Sequence, residues 1–323
     1  MAYSEEILRR ARARLELART QRRQEQQARQ EQAYARYPRL REIDHELRLT
    51  MSSLMANVLR SGEDPAAAIA EIREQNLALQ RERDWILQAG ELAPLDEGPA
   101  CPLCGDTGYV GAQMCSCLHE LCRQEQRKEL TSLLHSGADR FEDFRLDVYP
   151  DAYDPELGTS PRRLMQSNFN DCRKYAASFS PASPSLLFSG GTGLGKTFLS
   201  ACIARQVADS GFGVIYETAT RLFADFEAEK FAADREENRG LTRKYLACDL
   251  LIIDDLGTEM TTQFTVSALY TVVNDRMMAH KPTILSTNLT DTQLEARYSP
   301  QIASRLLGTY RFVQFAGEDI RRR

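Results

Sequence analysis

One eight-residue segment restricts the fold of this chain more than any other feature of its sequence. Residues 190–197 read GGTGLGKT, so half of them are glycine and the last two are lysine and threonine. The apolar run LLFS precedes the segment, and a helix-forming run follows it. Glycine lets consecutive backbone N–H groups turn toward one anion, and the first turn of a helix adds positive potential. The segment therefore predicts a strand, an anion-binding loop and a helix within an α/β fold.

The order of residues in this loop indicates which anion it binds. The pattern G-x-x-x-x-G-K-[ST] between a strand and a helix is typical of P-loops, which cradle the phosphates of a nucleoside triphosphate. Lys196 is expected to contact the β- and γ-phosphates of ATP, and Thr197 to ligate Mg²⁺. The residues expected to contact the nucleotide are Gly190, Gly191, Thr192, Gly193, Leu194, Gly195, Lys196, Thr197 and Phe198.

Two carboxylates end a second apolar run, LLIIDD at 250–255. Asp254 is expected to hold Mg²⁺ through water, and Asp255 to polarise the water that attacks the γ-phosphate. Glu259 is a nearby alternative to Asp255. The competing interpretation of the pair is two solvated acids at the end of a strand.

Short β-rich runs alternate with helical patterns from residue 185 onward, which predicts a parallel sheet covered by helices on both faces. The five predicted strands are 186–189, 214–217, 250–254, 283–286 and 312–315. The carboxyl ends of parallel strands form the ligand-binding edge of such a sheet. Asn288 follows the fourth predicted strand and is therefore expected to orient the attacking water.

The N-terminal part has a different pattern. Residues 3–37 contain neither glycine nor proline and are rich in Arg, Glu, Gln and Ala, which predicts a solvated helix. An apolar stripe follows and comprises Leu40, Ile43, Leu47, Met51, Leu54 and Val58. After a turn at Ser61, Gly62 and Pro65, a second stripe comprises Ile69, Ile72, Leu79 and Ile86. The two stripes predict an antiparallel helical hairpin, although the periodicity fits a bundle without a protein partner equally well.

Five of the eight cysteines lie within residues 101–122. Two close pairs offer four thiolates for a tetrahedral Zn²⁺ site, and the predicted ligands are Cys101, Cys104, Cys115 and Cys117. The second pair is spaced more tightly than usual, so His119 or Cys122 is an alternative fourth ligand. Reduced free thiols and an iron–sulfur cluster are the competing interpretations. The other cysteines, Cys172, Cys202 and Cys248, are predicted to be inert core residues.

The charge of the chain is uneven. The net charge is −5, which argues against a surface that binds nucleic acid throughout, yet residues 1–60 hold 13 arginines against 8 acidic residues. No apolar run approaches the roughly 20 residues that span a bilayer, and the charged N-terminus is unlike a signal peptide. We therefore expect a cytoplasmic protein without a membrane partner.

These features together resemble the DnaC/DnaI-type bacterial replicative helicase loaders, a group of AAA+ ATPases within the IstB-like superfamily. The resemblance covers about residues 98–323. The segments that carry it are CPLCGDTGY (101–109), FEDFRLDVYP (141–150), GGTGLGKT (190–197), LLIIDDLGTE (250–259), STN (286–288), SPQIASRL (299–306) and GEDIRRR (317–323). It implies a P-loop AAA+ core that lacks a full C-terminal lid, because the chain stops eight residues after Phe315.

The resemblance also implies roles for individual residues. Asn288 would be the first sensor of the γ-phosphate, and Arg305 the arginine finger that reaches the nucleotide of a neighbouring copy. Arg321 would be the second sensor, with Arg322 as its alternative. The aromatic residues expected near the adenine are Phe141, Phe144 and Tyr149. A helix-surface arginine at 305, a solvated basic tail and an aromatic core are the competing interpretations.

The function implied by the resemblance is ATP-dependent loading of a hexameric DnaB-type replicative helicase onto single-stranded DNA, with hydrolysis coupled to helicase release. The predicted regions are 1–97 (helical), 98–135 (zinc module, docking the helicase together with 1–97), 136–184 (linker and first helix) and 185–323 (ATPase core). Self-assembly into a ring or spiral on the helicase is expected. Candidate DNA contacts lie in residues 221–244 and comprise Phe223, Phe226, Lys230, Arg235, Arg239, Arg243 and Lys244.

Two other functions fit the same motifs. An IstB-type transposition ATPase has nearly the same core, although its relatives usually lack the cysteine cluster and the long Arg/Gln-rich helix. An adaptor that binds ATP with little turnover is the third possibility, because many relatives carry Glu where this chain has Asp255.

Overall fold

The computed structural model describes residues 3–58, 65–133, 140–231 and 240–322. Their side chains are described too, except those within 50–69, 71–72, 131–133 and 322. Its contacts form two compact units: one combines Met1–Arg12 with Ser116–Arg323, and the other is Ala13–Cys115. Among the described residues, no helix is both long and apolar enough to cross a membrane.

The helices are α1 (Glu5–Arg36), α2 (Pro38–Val58), α3 (Pro65–Ala89), α4 (Ser116–Leu133), α5 (Pro161–Ala177), α6 (Lys196–Asp209), α7 (Ala219–Phe231), α8 (Arg243–Ala247), α9 (Gln263–Met278), α10 (Asp291–Tyr298) and α11 (Pro300–Thr309). The strands are β1 (Tyr109–Val110), β2 (Gln113–Met114), β3 (Leu186–Ser189), β4 (Val214–Thr218), β5 (Leu250–Leu256), β6 (Thr283–Thr287) and β7 (Arg311–Gln314). Single 3₁₀ turns cover Phe141–Asp143, Leu146–Val148 and Ile320–Arg322.

The larger unit is built on a parallel sheet of five strands in the order β4-β5-β6-β3-β7. This confirms the predicted α/β fold. Strand β3 has the predicted bounds, whereas β7 begins and ends one residue earlier than predicted. Strand β5 continues two residues past the predicted end, through both acidic residues to Leu256.

The sheet is apolar on both faces because helices cover both. Every residue of β3 and the first four residues of β5 are buried. One core cluster, which includes Phe188 and Ile252, packs with α5 and α6; the other, which includes Leu187 and Ile253, packs with α7, α9 and α11. Alternation of side chains along a strand places successive residues in different clusters. Cys172, Cys202 and Cys248 are buried in these cores, as predicted.

Helix α4 covers the free edge of β4. Gln126, which is 1% exposed, donates from Nε2 to the carbonyl of Phe212 (2.9 Å) and accepts at Oε1 from the N–H of Val214 (3.2 Å). These bonds satisfy backbone groups that an uncovered edge strand would leave open. Helix α4 therefore belongs to the unit that contains the sheet, whereas the sequence-based boundary at residue 135 groups it with the cysteines before it.

The smaller unit contains the predicted helical hairpin, formed by α2 and α3. Leu40, Ile43 and Ile86 are buried at its centre, with Leu47 and Leu79 packed against them. The remaining predicted members of the two stripes have side chains outside the described residues; these are Met51, Leu54, Val58, Ile69 and Ile72. The turn residues Ser61 and Gly62 also lie outside the described residues.

Candidate active site

The loop at 190–197 has a backbone that its glycines require. Gly190, Gly193 and Gly195 have φ angles of +150°, +70° and +90°, which side chains other than glycine adopt at a cost. Space is restricted as well: a Cβ on Gly190 would lie 2.3 Å from the carbonyl oxygen of Phe315. Helix α6 starts at Lys196, so its N-terminus opens directly onto the loop.

Lys196 is 5% exposed, and its ammonium group has three oxygen acceptors. They are the carbonyls of Gly190 (2.7 Å) and Gly191 (2.6 Å) and the Oδ1 atom of Asn288 (2.5 Å). Burial lowers the pKa of Lys196, while the negative charges of Asp255 and Asp254 oppose that shift. The sequence-predicted residues of the loop, β5 and β6 therefore meet at one end of the sheet.

Asp254 is held by residues from both neighbouring strands. Its carboxylate is 3% exposed, accepts from the hydroxyl of Tyr216 on β4 (2.7 Å), and also accepts from the hydroxyl of Ser286 on β6. Each carboxylate oxygen retains a second lone pair. A fixed carboxylate is a hard-oxygen ligand that suits Mg²⁺, and Thr197 in the first turn of α6 carries an oxygen of the same kind.

Asp255 has a backbone conformation that the sequence did not indicate. Its φ is +56°, in the left-handed region, and the register of β5 against β6 shifts between Ile253 and Leu256. Its N–H donates to the Ser286 hydroxyl (3.0 Å) instead of a ladder carbonyl. Bulges of this kind re-aim a side chain at a site. Burial raises the pKa of Asp255, the charge of Asp254 raises it further, and Lys196 and Arg321 oppose the shift.

Glu259 has other partners. It is 6% exposed, accepts from the N–H of Gly257 (2.9 Å) and the hydroxyl of Tyr298, and forms an ion pair with Arg297 (3.6 Å). These contacts fix the loop after β5 to the end of α10. Asp255 and Asp254, and not Glu259, are thus the carboxylates whose charges act on Lys196.

The two predicted arginines are placed differently. The charge of Arg321 acts on both Lys196 and Asp255, so its guanidinium lies within electrostatic range of the loop. Arg305 lies on α11, with its guanidinium 4.7 Å from the ring centroid of Tyr270, and it is not among the groups acting on Lys196. The side chain of Arg322 lies outside the described residues.

An aromatic cluster lies beside the loop. Tyr149 is 1% exposed and donates from its hydroxyl to the carbonyl of Leu194 (3.0 Å). Phe144 stacks on Phe169 (centroids 5.2 Å apart) and lies 5.8 Å from Phe198. Phe169 was missed by the sequence analysis, and so were Tyr216 and Ser286. No local pattern marks these residues, because each contacts the site only through tertiary packing.

The predicted DNA contacts are only partly accessible. Phe223 is 4% exposed and Phe226 packs against the same core, so neither is available to bases, and Arg235 and Arg239 lie outside the described residues. Lys244 forms an ion pair with buried Asp225 (2.8 Å). Lys230 and Arg243 are exposed. An aromatic ring outside the predicted set is also accessible: Phe231 is 70% exposed, its ring centroid lies 5.8 Å from that of Phe264, and the Lys230 ammonium lies 4.8 Å from the Phe264 ring centroid.

The four predicted cysteine ligands converge. The Sγ atoms of Cys101, Cys104, Cys115 and Cys117 all lie within 4.8 Å of one another. The Cys101 and Cys115 sulfurs are 3.7 Å apart, close to the ~3.8 Å expected when tetrahedral zinc binds sulfur at about 2.3 Å. Neither alternative ligand joins them. The His119 ring packs near the Tyr3 ring, with the centroids 5.9 Å apart, and Cys122 is fully buried. The donor set therefore fits Zn²⁺.

Part of this chain is similar to known proteins. Residues 171–323 match the family described as IstB-like ATP binding protein. An ATP-binding protein in an insertion sequence of Mycobacterium tuberculosis is 26% identical over 204 residues, or 62% of this chain and 74% of that protein. The replicative helicase loader DnaC of Escherichia coli is 24% identical over 152 residues, or 47% of this chain and 62% of the loader.

A crystal structure of the DnaC helicase loader covers 55% of this chain and 98% of its own, with 19% identity and a TM-score of 0.44. The chain spans between 30% and 74% of the lengths of the first curated relatives it matches. The matched region begins in α5 and contains the whole five-stranded sheet, the glycine loop and both acidic residues. Residues 171–323 therefore match the IstB-like ATP binding protein family, and part of the chain is similar in sequence to the replicative helicase loader DnaC at low identity.

Proposed function

We propose that this protein is an ATPase that loads a hexameric replicative helicase onto single-stranded DNA. One observation carries the ATPase part: Lys196 of the glycine loop donates to Asn288 after β6 (2.5 Å), while Asp254 and Asp255 at the end of β5 act on the same ammonium. One cluster thus contains a cation that can bind phosphates, an acid that can polarise water and a polar side chain that can sense the γ-phosphate.

The chemistry follows from these contacts. Phosphate oxygens compete with the neutral carbonyls of Gly190 and Gly191 for the Lys196 ammonium, because charged acceptors bind an ammonium more strongly. Asp255 orients and polarises the attacking water. Thr197 and Asp254 would hold Mg²⁺, which neutralises charge on the β- and γ-phosphates. Asn288, which accepts from Lys196, would contact the γ-phosphate through the N–H groups of its side-chain amide.

Two substitutions test the ATPase. Lys196→Ala should abolish ATP binding, measured by titration with a fluorescent ATP analogue, whereas Asp255→Asn should leave binding within about threefold and reduce turnover by 100-fold or more. Glu318→Ala, an exposed change in the C-terminal segment, is the matched control. If the unaltered protein binds ATP but shows no turnover with DNA and helicase present, the adaptor alternative replaces the ATPase.

The loader part is supported by the relationship to DnaC, which is a replicative helicase loader. The smaller unit carries exposed apolar side chains suited to a protein partner: Trp85 on α3 is 69% exposed and Leu77 is 44% exposed. Large aromatic side chains are typical centres of binding energy at protein interfaces. Lys230, Phe231 and Phe264 are the proposed contacts to single-stranded DNA, which binds to aromatic rings and cations without base specificity.

Native mass spectrometry of the full chain mixed with the replicative helicase of its host, with and without ATP and Mg²⁺, tests the loader. We expect a complex with the helicase hexamer that is weakened by Trp85→Ala and unchanged by Phe312→Ala, a comparable exposed aromatic in the sheet unit. No complex under any nucleotide condition would end the loader proposal and leave the ATPase standing.

An IstB-type transposition ATPase is the second candidate. The family match and the 74% coverage of the insertion-sequence protein from M. tuberculosis favour it. The two functions differ in their partner, so the same mass spectrometry with the transposase of a neighbouring insertion sequence separates them. Binding to the transposase and not to the helicase would select this candidate.

A further inference from the structure

The chain returns to the glycine loop after its last strand. Phe315 donates its N–H to the carbonyl of Ser189 (2.7 Å), and Ile320 donates its N–H to the carbonyl of Gly193 (3.1 Å). Gly317, with φ of +133°, makes the turn between these two contacts. Ile320 also packs against the core cluster that includes Leu194. The segment 315–320 is therefore attached to the loop at two points.

Asp319 makes the closest approach in this segment. A Cβ built on Gly193 would lie 1.7 Å from Oδ1 of Asp319 and 3.2 Å from its Cα, so the carboxylate lies directly against the Cα of Gly193. The same Oδ1 accepts the N–H of Arg321 (3.0 Å). One oxygen atom thus contacts the glycine loop and also caps the 3₁₀ turn on which Arg321 lies.

The contact of Asp319 with the loop affects Arg321, whose charge acts on the site. Its positive charge acts on Lys196 and on Asp255, which lie on two different elements of the site. The Arg321 side chain itself is exposed, so packing around the guanidinium does not fix it. Its backbone is fixed instead, through the hydrogen bond to Asp319. A charged side chain stabilises a transition state more strongly when the backbone that carries it is already ordered before the reaction.

We propose that Asp319 is a positioning residue, which holds Arg321 within electrostatic range of the phosphate-binding loop by joining the C-terminal turn to Gly193. The proposal rests on the ATPase function proposed above. It also gives a second reason, besides the φ of +70°, for glycine at position 193: a side chain there would displace the carboxylate that caps the turn. Through this contact, a movement of the loop around the phosphates is transmitted to Arg321 without passing through the sheet.

The contacts that attach segment 315–320 to the loop differ from the Asp319 contact that the experiment removes. The backbone bond of Ile320 to Gly193 and the packing of Ile320 do not involve the Asp319 side chain. Asp319→Ala should therefore fold, with a melting temperature close to that of the unaltered protein. Asp319→Asn retains an acceptor oxygen for the N–H of Arg321 and serves as the conservative variant.

The test is a double-substitution cycle on the full chain with Asp319→Ala, Arg321→Ala and both together. Steady-state turnover and the affinity for a fluorescent ATP analogue are measured for each, with Glu318→Ala as the control. If Asp319 acts through Arg321, Asp319→Ala lowers kcat about tenfold with less than about threefold loss of affinity, and the double variant is no slower than Arg321→Ala. Asp319→Asn should recover most of kcat.

Three results separate the possibilities. Additive losses in the double variant, or a normal kcat for Asp319→Ala, would overturn the positioning role while the ATPase stands. Equal losses for Asp319→Asn and Asp319→Ala would overturn the hydrogen bond as its cause. An unaltered protein that neither binds nor hydrolyses ATP would instead overturn the proposed function itself.

Discussion

The hydroxyl of Ser286 joins the two acidic residues of the site, since it donates to the carboxylate of Asp254 and accepts the backbone N–H of Asp255 at 3.0 Å. Ser286 lies on β6, beside the strand that carries both acids. One buried hydroxyl therefore orients the carboxylate that we propose binds Mg²⁺. It also stabilises the bulge that places the carboxylate proposed to polarise the attacking water.

Ser286→Ala should lower turnover about tenfold and destabilise the fold by about 1–3 kcal/mol, because a buried N–H and a carboxylate each lose a partner. Turnover and urea unfolding measure the two effects. The control is Ser200→Ala on α6, where the hydroxyl is also buried but has no hydrogen-bond partner among the described residues. Similar losses for both variants would show that Ser286 is an ordinary buried hydroxyl.

The left-handed backbone of Asp255 predicts an order of stability among its variants. Asparagine tolerates φ of +56°, whereas alanine at this angle costs about 1–2 kcal/mol. Asp255→Asn should therefore be more stable than Asp255→Ala by roughly 1 kcal/mol, and Asp255→Gly should be close to Asp255→Asn. Urea denaturation of the three variants measures the order. Equal stabilities would mean that the bulge relaxes when the carboxylate is removed.

Glu217 at the end of β4 predicts a pH effect on stability. Burial raises its pKa, with Lys244 opposing and Asp225 adding to the shift. A carboxyl whose pKa is raised by folding contributes stability that is present below the unfolded pKa, near 4, and is lost as the pH rises through the folded pKa. Glu217→Gln should thus gain stability relative to the unaltered protein between pH 4 and pH 7. Urea unfolding across this range measures the difference, and a constant or reversed difference would contradict the burial argument.

The cysteine cluster predicts one zinc per chain. Cys117→Ser should lower the zinc content of the purified protein and the melting temperature, because a structural metal contributes its binding energy to folding. Cys122→Ser is the control, since Cys122 lies outside the group of converging sulfurs. Metal analysis by mass spectrometry measures the content. Retained zinc in Cys117→Ser together with lost zinc in Cys122→Ser would reverse the ligand assignment.

The exposed ring of Phe231 predicts the DNA contact. Phe231→Ala should weaken binding to a single-stranded oligonucleotide by about 1–3 kcal/mol, the usual contribution of a stacked base. Fluorescence anisotropy at fixed salt measures the affinity. Phe312→Ala is the matched control, because Phe312 is 46% exposed at a different part of the same unit. An equal loss for both variants would mean that neither ring is a specific contact.

Local sequence patterns determined a large part of this structure. Residues close together in the chain predict the glycine loop, the two cysteine pairs, and the strands that precede the acidic residues and Asn288. Their physical basis is local too: backbone angles that require glycine, alternation along a strand and ligand spacing within one short segment. These are the predictions that the sheet and the converging sulfurs match.

Only the tertiary structure decided which residues support the site. Tyr216 and Ser286 reach Asp254 because the order β4-β5-β6 places their strands on either side of it, and no spacing in the sequence specifies that order. The left-handed Asp255 depends on a register shift against β6. Asp319 meets Gly193 across more than a hundred residues. The sequence determined the chemical groups, and packing determined their partners, because such contacts depend on long-range pairing that no local preference encodes.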